Sequence, residues 1–593
     1  MSSTDPLALP PALASMWRTL VRGYRAEPWL LSVSFGLSLL AALPDALIAL
    51  WLGLLADGVL RGRGGLVIGA ALGLGVSSVA TWILALVSER TQRQFRDRVT
   101  IALESHVAHL QASVSTIEHH ERPELLDRLA VLRNQVFVLD HMYMSLFTTC
   151  GWILRLGITL ALLASVHPAL ALLAVFALPT VLTSTWRPGV ERAAEERGAP
   201  AQRLARHLFD TATSAPPGKE VRVTRIGARL VAQRREAWER WYAPVARARW
   251  ISAGWHALGW ALFGGAYVAS VVFVASRFPT PASLVIVLAA GARLSAYIGA
   301  TVGEIGFLRG IWLDGSRRMA WLEDYAAAQL ADADLPAPPH LAQGIRFEGV
   351  SFAYPGTQRL ALEDVDLHLR PGSVVALVGE NGAGKTTLVK LLCRLYPPTR
   401  GRILVDGVPL ARVSPDGWRA RLAGAFQDFF RFELLARHSV GVGDLPRLDD
   451  EPAVGSAVAR AGASDLVAQL SAGLETQLGP SWPEGVELST GQWQKVSLAR
   501  GFMRDAPLVL VLDEPTASLD AETEHALFER YARAARGEQI TLLVSHRFST
   551  VRMADFIVVL DGARVVEIGT HEELIARGGQ YAELYAIQAA AYR

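Results

Sequence analysis

Cysteine and lysine are the scarcest chemistry-bearing residues in this chain of 593. Two cysteines, Cys150 and Cys393, cannot build a disulfide framework and offer no metal-ligand spacing. Only four lysines occur, at 219, 385, 390 and 495, so 54 of the 58 basic residues are arginine, the skew of a GC-rich bacterial genome. Excess charge of either sign is also missing, with 58 basic residues against 56 acidic ones. Without a net basic field, no nucleic-acid partner is expected. Charged residues make up only 19% and hydrophobic ones 51%, which excludes a disordered chain or a coiled coil. The first 27 residues lack the basic start, apolar core and small-residue cleavage site of a secretory signal, so they are expected to stay in the mature protein.

What is abundant is long apolar sequence. Six stretches could cross about 30 Å of hydrocarbon: Pro28 to Ala56, Leu66 to Ser88, Met142 to Val166, Pro168 to Thr185, Trp250 to Ala275 and Ala282 to Leu308. The third and fourth, and the fifth and sixth, are so close in sequence that they read as helical hairpins. Seven arginines fall between Glu89 and His141, and fourteen basic residues between Arg187 and Arg249, whereas the other connections carry only Arg61, Arg63 and Arg277. The bias toward basic cytoplasmic loops then puts both long connections, and both termini, in the cytoplasm. Trp29, Trp186 and Trp250 stand at the cytoplasmic span ends, where an indole buries its ring and keeps its N–H wet. The expected organisation is a lead-in over 1–27, a six-helix membrane domain with long cytoplasmic extensions over 28–328, a Pro-rich linker over 329–343 and an α/β domain over 344–593.

The α/β half carries phosphate chemistry. Gly379-Glu-Asn-Gly-Ala-Gly-Lys-Thr-Thr387 follows the strand-like run Ser373 to Val378 and precedes a helical stretch, the setting in which G-x-x-x-x-G-K-[ST] has meaning. Gly379, Asn381, Gly382, Gly384 and Thr387 belong to a loop whose backbone N–H groups close on phosphate oxygens. Lys385 supplies charge to the β/γ-phosphates of ATP, and the Thr386 hydroxyl is placed for Mg²⁺. Downstream, Leu508 to Leu512 is an apolar strand ending in Asp513, a second expected Mg²⁺ contact, and Glu514, placed to polarise a water against the γ-phosphate.

These residues carry a resemblance: the soluble half is similar to the nucleotide-binding domain of ATP-binding cassette (ABC) transporters. Leu488-Ser-Thr-Gly-Gln492 resembles the family's Leu-Ser-Gly-Gly-Gln signature, with Thr490 in place of a glycine. The resemblance implies that Ser489, Gly491 and Gln492 reach ATP held by the opposite subunit. It implies that Tyr354 stacks on adenine, that Gln427 contacts Mg²⁺, links to the membrane domain and belongs to the catalytic set, that Asp520 crosses the dimer interface, and that His546 is the catalytic switch histidine that contacts the γ-phosphate. It further implies an ATPase that works as a dimer of identical chains, or with a second half-transporter, in the bacterial inner or plasma membrane.

Six spans fused ahead of such a cassette resemble an exporter-type half-transporter, with the segments near Glu118 to Leu129 and Pro216 to Arg229 as coupling helices. Gln427-Asp-Phe-Phe-Arg431, the tryptophan after the signature and the extended Gly479 to Gly485 resemble exporters of lantibiotics and other peptide natural products. The expected cargo is therefore a peptide or an amphiphilic small molecule, with a lipid or general drug exporter as the alternative. No cysteine precedes Cys150, so no leader-peptidase domain is expected. Asp45, Arg155, Arg293 and Glu304 are charges inside spans, which read as a substrate cavity or as structural pairing, for example Asp45 with Arg155. A siderophore-type importer, a cargo-free sensor and a metal role for His106, His109, His119 and His120 are further readings.

Overall fold

The computed structural model describes residues 8–591 apart from 123, 127–128, 130–131, 133–135, 279, 309–311, 330–332, 515–537 and 546. The chain forms two compact units, one of residues 1–111 and 128–323, the other of 112–127 and 324–593.

The first unit is helical. Among the described residues, six helices are long and apolar enough to cross a membrane: Pro28–Leu60, Gly64–Ser113, His141–Val166, Pro168–Thr213, Gly227–Arg277 and Pro281–Gly306. Several outrun the apolar stretches considerably, because alanine, leucine, arginine and glutamate keep helical propensity high after hydrophobicity ends. The tight hairpins have local causes. His167 caps the fourth helix by accepting the Ala169 N–H at 3.2 Å, with Pro168 in the first helical position. Thr280 caps the sixth in the same way, followed by Pro281. Pro179 opens Leu178–Thr213, and the stretch before it is a 3₁₀ turn, Pro168–Leu172, so the fourth helix is irregular at its start.

Inside this unit Leu163, Phe263, Val287, Leu294 and Ile298 form a buried cluster. Close approach depends on small residues: a Cβ at Gly53 would meet Ile286 at 2.4 Å, and one at Gly291 would meet Tyr267 at 2.3 Å. The outer surface is apolar as well, with Leu72, Val76, Trp82, Trp250 and Leu258 exposed. A soluble surface does not carry such a belt.

The second unit is α/β. A six-stranded sheet runs in the order β10(Arg564–Gly569), β9(Phe556–Asp561), β3(Val374–Val378), β8(Ile540–Val544), β7(Val509–Asp513), β6(Leu422–Ala425), parallel except for β10. An antiparallel sheet orders β2(Leu360–Leu369), β1(Ile345–Ala353), β4(Arg400–Val405) and β5(Val408–Pro409). One apolar core fills the space between the sheets, and a second, around Val454, Leu478, Trp493 and Met503, builds a helical subdomain. β3, β7 and β8 are continuous apolar runs because both faces of a parallel sheet are covered.

Two stretches lie closer to the cassette than their composition suggests. In the Pro-rich linker, Leu335 exchanges backbone hydrogen bonds with Arg412 (2.9 Å) and Ser414 (2.7 Å). Residues 112–127 belong to the same unit, and the Ile117 N–H donates to the Leu395 carbonyl at 3.2 Å.

Trp418 holds the back of the phosphate-loop helix. It is fully buried, and its indole N–H donates to the Leu392 carbonyl at 2.8 Å, satisfying an end of Lys385–Leu392 that the helix itself leaves open. Trp418→Ala should therefore cost about 3–5 kcal/mol of cassette stability. Denaturant unfolding of the detergent-solubilised full chain measures this; an unshifted transition would show that the tryptophan does not anchor the helix.

Candidate nucleotide site and intramembrane charge cluster

The loop after β3 folds as it does because two of its glycines are indispensable. Gly379 (φ +152°) would place a Cβ 2.2 Å from the Leu560 carbonyl, and Gly384 (φ +107°) one 2.6 Å from the Ala361 carbonyl. The loop wraps the buried Lys385 ammonium, which donates to the Gly379 and Glu380 carbonyls at 2.7 and 3.0 Å. Burial lowers the pKa of this lysine, while Glu514 and Asp513 act to raise it. Its two carbonyl partners are ones that phosphate oxygens can replace.

An open cleft of about 550 Å³ lies above the loop, lined by Tyr354, Ala361, Asn381, Gly382, Gly384, Lys385, Thr386, Thr387, Gln427 and Glu514. Residues expected from widely separated motifs thus share one cavity. Tyr354 stands at its edge, hydroxyl to hydroxyl with Thr387 at 3.0 Å and with the Lys390 ammonium 5.4 Å from its ring. Gln427 donates to the Glu514 carboxylate at 2.7 Å. Glu514 has φ +48°, a left-handed conformation that is strained for a residue with a Cβ. Its own N–H is fixed to the Val544 carbonyl at 2.9 Å. The motif reading passed over Gln494, whose side chain donates to the Glu514 carbonyl oxygen at 3.3 Å. Its one signal was its place on the first turns of the signature helix.

Asp513 ends β7 and is 1% exposed, and among the described residues neither carboxylate oxygen has a partner in good hydrogen-bond geometry. A buried, unsatisfied carboxylate is costly unless something neutralises it. Burial, reinforced by Glu514 and Asp428, raises its pKa to about 6, against the opposing pull of Lys385 and Thr386. This donor set, an orphaned carboxylate with a threonine hydroxyl nearby and Gln427 on the cleft wall, fits a hard divalent cation such as Mg²⁺. When bound with ATP, the cation would neutralise phosphate charge.

Ser489, Gly491 and Gln492 do not line this cleft. They open helix Thr490–Gly501, where the Ser489 hydroxyl accepts the Gln492 N–H (3.3 Å) and the Gln492 side chain accepts the Ser489 N–H (2.8 Å), a closed capping box. Thr490, at the first helical position, fits without a left-handed backbone, and its hydroxyl is 3.4 Å from the Arg431 guanidinium. Asp520 and His546 lie outside the described residues.

In the helical unit, three of the four intramembrane charges meet. Asp45 accepts from Arg155 Nε at 3.1 Å, Arg293 at 2.7 Å and the Tyr297 hydroxyl at 2.8 Å. Arg293 also donates to the Asp45 carbonyl oxygen at 2.6 Å, and Arg155 lies 4.6 Å from the Trp152 ring. Structural pairing is thus present, including the Asp45–Arg155 pair, with one cation in excess. Glu304 stands apart from it and accepts from Ser145 at 2.5 Å. No group of three or more potential metal ligands exists among the described residues, and His106 instead sits 3.1 Å from Glu323.

Residues 362–517 match the family model for the ABC transporter domain. Together with six apolar helices ahead of the α/β cassette, this gives the chain the architecture of an exporter-type ABC half-transporter. A solved bacterial Atm1-family ABC exporter with ATP bound superposes with a TM-score of 0.74, covering 97% of this chain and 99% of that one at 24% identity. Among curated relatives, the ATP-dependent lipid A-core flippase of Alkalilimnicola ehrlichii is 38% identical over 276 residues, 44% of this chain and 45% of that protein. The flippase of the same description from Pseudomonas fluorescens is 41% identical over 241 residues, 40% of this chain and 39% of that protein. The matched stretch therefore spans less than half the length of these relatives.

The Asp513 carboxylate generates a pH prediction. It is ionised above about pH 6 and protonated below, so in the empty protein its ionisation disfavours the fold above that pH, while cation binding requires it ionised. Mg²⁺-dependent ATP affinity should fall about fourfold between about pH 7.5 and about pH 5.5, beyond the effect of nucleotide protonation. Asp513→Asn should flatten the profile, as read by calorimetric titration with a non-hydrolysable ATP analogue; a profile unaltered by the substitution would remove Asp513 from the cation site.

Proposed function

We propose that the chain is an ATP-driven exporter that moves an anionic, lipid-like amphiphile across the inner or plasma membrane by alternating access. The observation that carries the cargo class is the Asp45–Arg155–Arg293 cluster, two guanidiniums sharing one carboxylate inside the apolar helices. The surplus positive charge suits an acidic headgroup, and a charge held there is functional by default. The name of the relatives, lipid A-core flippase, favours this reading over the peptide cargo expected from the loop motifs. A peptide natural product remains the second reading, supported by the Gln427 to Arg431 and Gly479 to Gly485 sequences.

In this reading, the basic long connections and both termini face the cytoplasm. ATP and Mg²⁺ occupy the cleft, with Lys385 on the β/γ-phosphates and Tyr354 against adenine. Glu514, oriented by Gln427, takes a proton from the attacking water as general base. The exposed Ser489, at the N-terminus of the signature helix and off its own chain's cleft, meets the nucleotide of a second copy, which explains why one chain shows only half a site. Asp520 and His546 would complete that dimeric site. ATP binds the closed cassette pair more tightly than the open one and drives the helices to their outward state; hydrolysis removes that difference.

Proteoliposomes holding a fluorescent acidic lipid, a zwitterionic lipid or a cationic peptide distinguish the cargo classes. Wild type should move the acidic lipid in an ATP-dependent way, and Glu514→Gln should bind ATP while losing about 99% or more of turnover and flux. Peptide flux without lipid flux would replace the cargo assignment, and undiminished hydrolysis in the variant would replace the catalytic one.

Arg155→Gln leaves Asp45 bonded to Arg293 and Tyr297, so the helix packing should survive. Stimulation of ATPase by the acidic lipid should weaken about tenfold in apparent affinity, the worth of one charged hydrogen bond, with basal ATPase kept. Equal loss of basal and stimulated activity would make the cluster purely structural.

A further inference from the structure

The helix Thr490–Gly501 is anchored along its length in the helical subdomain. Trp493 is 1% exposed, Lys495 donates to the Asp465 carboxylate at 3.0 Å, and Arg500 Nε donates to the Ser439 carbonyl at 3.0 Å. Its side chains therefore shift together with its start at Ser489. Gln494 lies one to two turns beyond that start, about 7 Å along the axis.

Two side chains reach Glu514 from this helix, one directly and one through a tethered segment. Gln494 donates to the Glu514 carbonyl oxygen at 3.3 Å. Gln427 donates to the Glu514 carboxylate at 2.7 Å, and the stretch that carries it is tied to the same helix twice. Arg500 Nη1 donates to the Phe430 carbonyl at 3.3 Å, and the Arg431 guanidinium lies 3.4 Å from the Thr490 hydroxyl and 3.6 Å from Glu487.

Glu514 is a residue whose direction depends on such support. With φ at +48° its backbone is left-handed, and that conformation persists where the flanking peptide groups are fixed. The Glu514 N–H, bonded to the Val544 carbonyl at 2.9 Å, fixes the peptide on one side, and the Gln494 amide fixes the one on the other. Loss of the second bond loosens ψ, and relaxation toward the right-handed region turns the carboxylate away from Gln427 and the cleft.

We infer that Gln494 is a positioning residue for the catalytic carboxylate, and that through it the base in one chain's cleft depends on the nucleotide that a second copy presents to this chain's Ser489. The inference rests on the proposed dimeric site, to which it adds a direction of influence. Nucleotide drawn onto Ser489 fixes the start of the helix, the helix fixes Gln494 and the Gln427 segment, and Glu514 is aligned when the opposite site is filled. No bond forms or breaks at Gln494; what it contributes is alignment.

The test is steady-state ATPase of the full chain in nanodiscs, with Gln494→Met, which keeps the length of the side chain and removes the donor, and Gln494→Glu, which sets an acceptor against an acceptor. Both should lower kcat about tenfold or more, while affinity for a non-hydrolysable ATP analogue stays within about twofold and reports an intact fold. The ATP dependence of wild type should have a Hill coefficient between one and two, and both variants should bring it to one. In a Glu514→Gln background neither substitution should lower the residual rate further, because Gln494 acts through that carboxylate. A kcat within about twofold of wild type, a loss matched by ATP affinity, or an equal further loss in the Glu514→Gln background would overturn the positioning role. A wild-type coefficient of one, or a coefficient that survives both substitutions, would overturn the dependence on the second copy. Undiminished hydrolysis by Glu514→Gln itself would instead defeat the assignment of the base on which the inference rests, whatever the Gln494 variants do.

Discussion

A carboxylate buried at the end of a central strand, without a well-aligned hydrogen-bond partner among the described residues, is the constraint around which the cassette is organised. Asp513 is tolerable because its charge is provisional: protonated it is merely polar, and ionised it demands a cation. The strand order puts β8 between β3 and β7, and all three run in parallel, so the loop carrying Lys385 and the turn carrying Asp513 and Glu514 emerge from the same edge of the sheet. Phosphates and cation are what such an edge collects. The strained backbone at Glu514 belongs to the same economy, since a left-handed residue survives where its N–H is fixed by Val544 and its side chain and carbonyl are held by Gln427 and Gln494.

Most of this was legible because each part has a local signature. Apolar runs of more than twenty residues announce spans, glycine spacing announces a phosphate loop, and an apolar strand ending in two carboxylates announces a cation site. Less legible was what depends on distant partners. The charges Asp45, Arg155 and Arg293 were visible as anomalies, but that one carboxylate accepts from both arginines and from Tyr297 required three helices to be assembled. Glu304 read as a fourth member of the same set, yet its carboxylate accepts from Ser145 instead. The linker read as a spacer from its prolines, whereas Leu335 is stitched to the cassette through backbone groups that no side-chain pattern encodes.

At Asp45 both carboxylate oxygens are engaged by side chains of the cluster, and two guanidiniums share the one carboxylate in apolar surroundings, where charge is expensive. Any ligand entering there must compete with a formed ion pair.

Within the cassette unit, residues 112–127 reach toward the nucleotide cleft through a chain of side chains. Glu121 accepts from the Tyr396 hydroxyl and lies 3.6 Å from the Lys390 ammonium, and the Ser115 carbonyl accepts from Arg419. Tyr396 in turn packs edge-on to Tyr354 at 5.6 Å, while Lys390 lies within 6 Å of both rings. Tyr354 closes the path at the nucleotide cleft through Thr387. An adenine arriving on Tyr354 would compete with Lys390 for that ring face, and Lys390 has a carboxylate waiting at Glu121. The same ammonium is therefore shared between the nucleotide's aromatic platform and the segment that the chain threads between its second and third long helices. Spatial continuity alone does not make a transmission line. Within the cassette unit, the Lys390 ammonium, 5.4 Å from the Tyr354 ring and 3.6 Å from Glu121, is the group common to the cleft edge and to this segment.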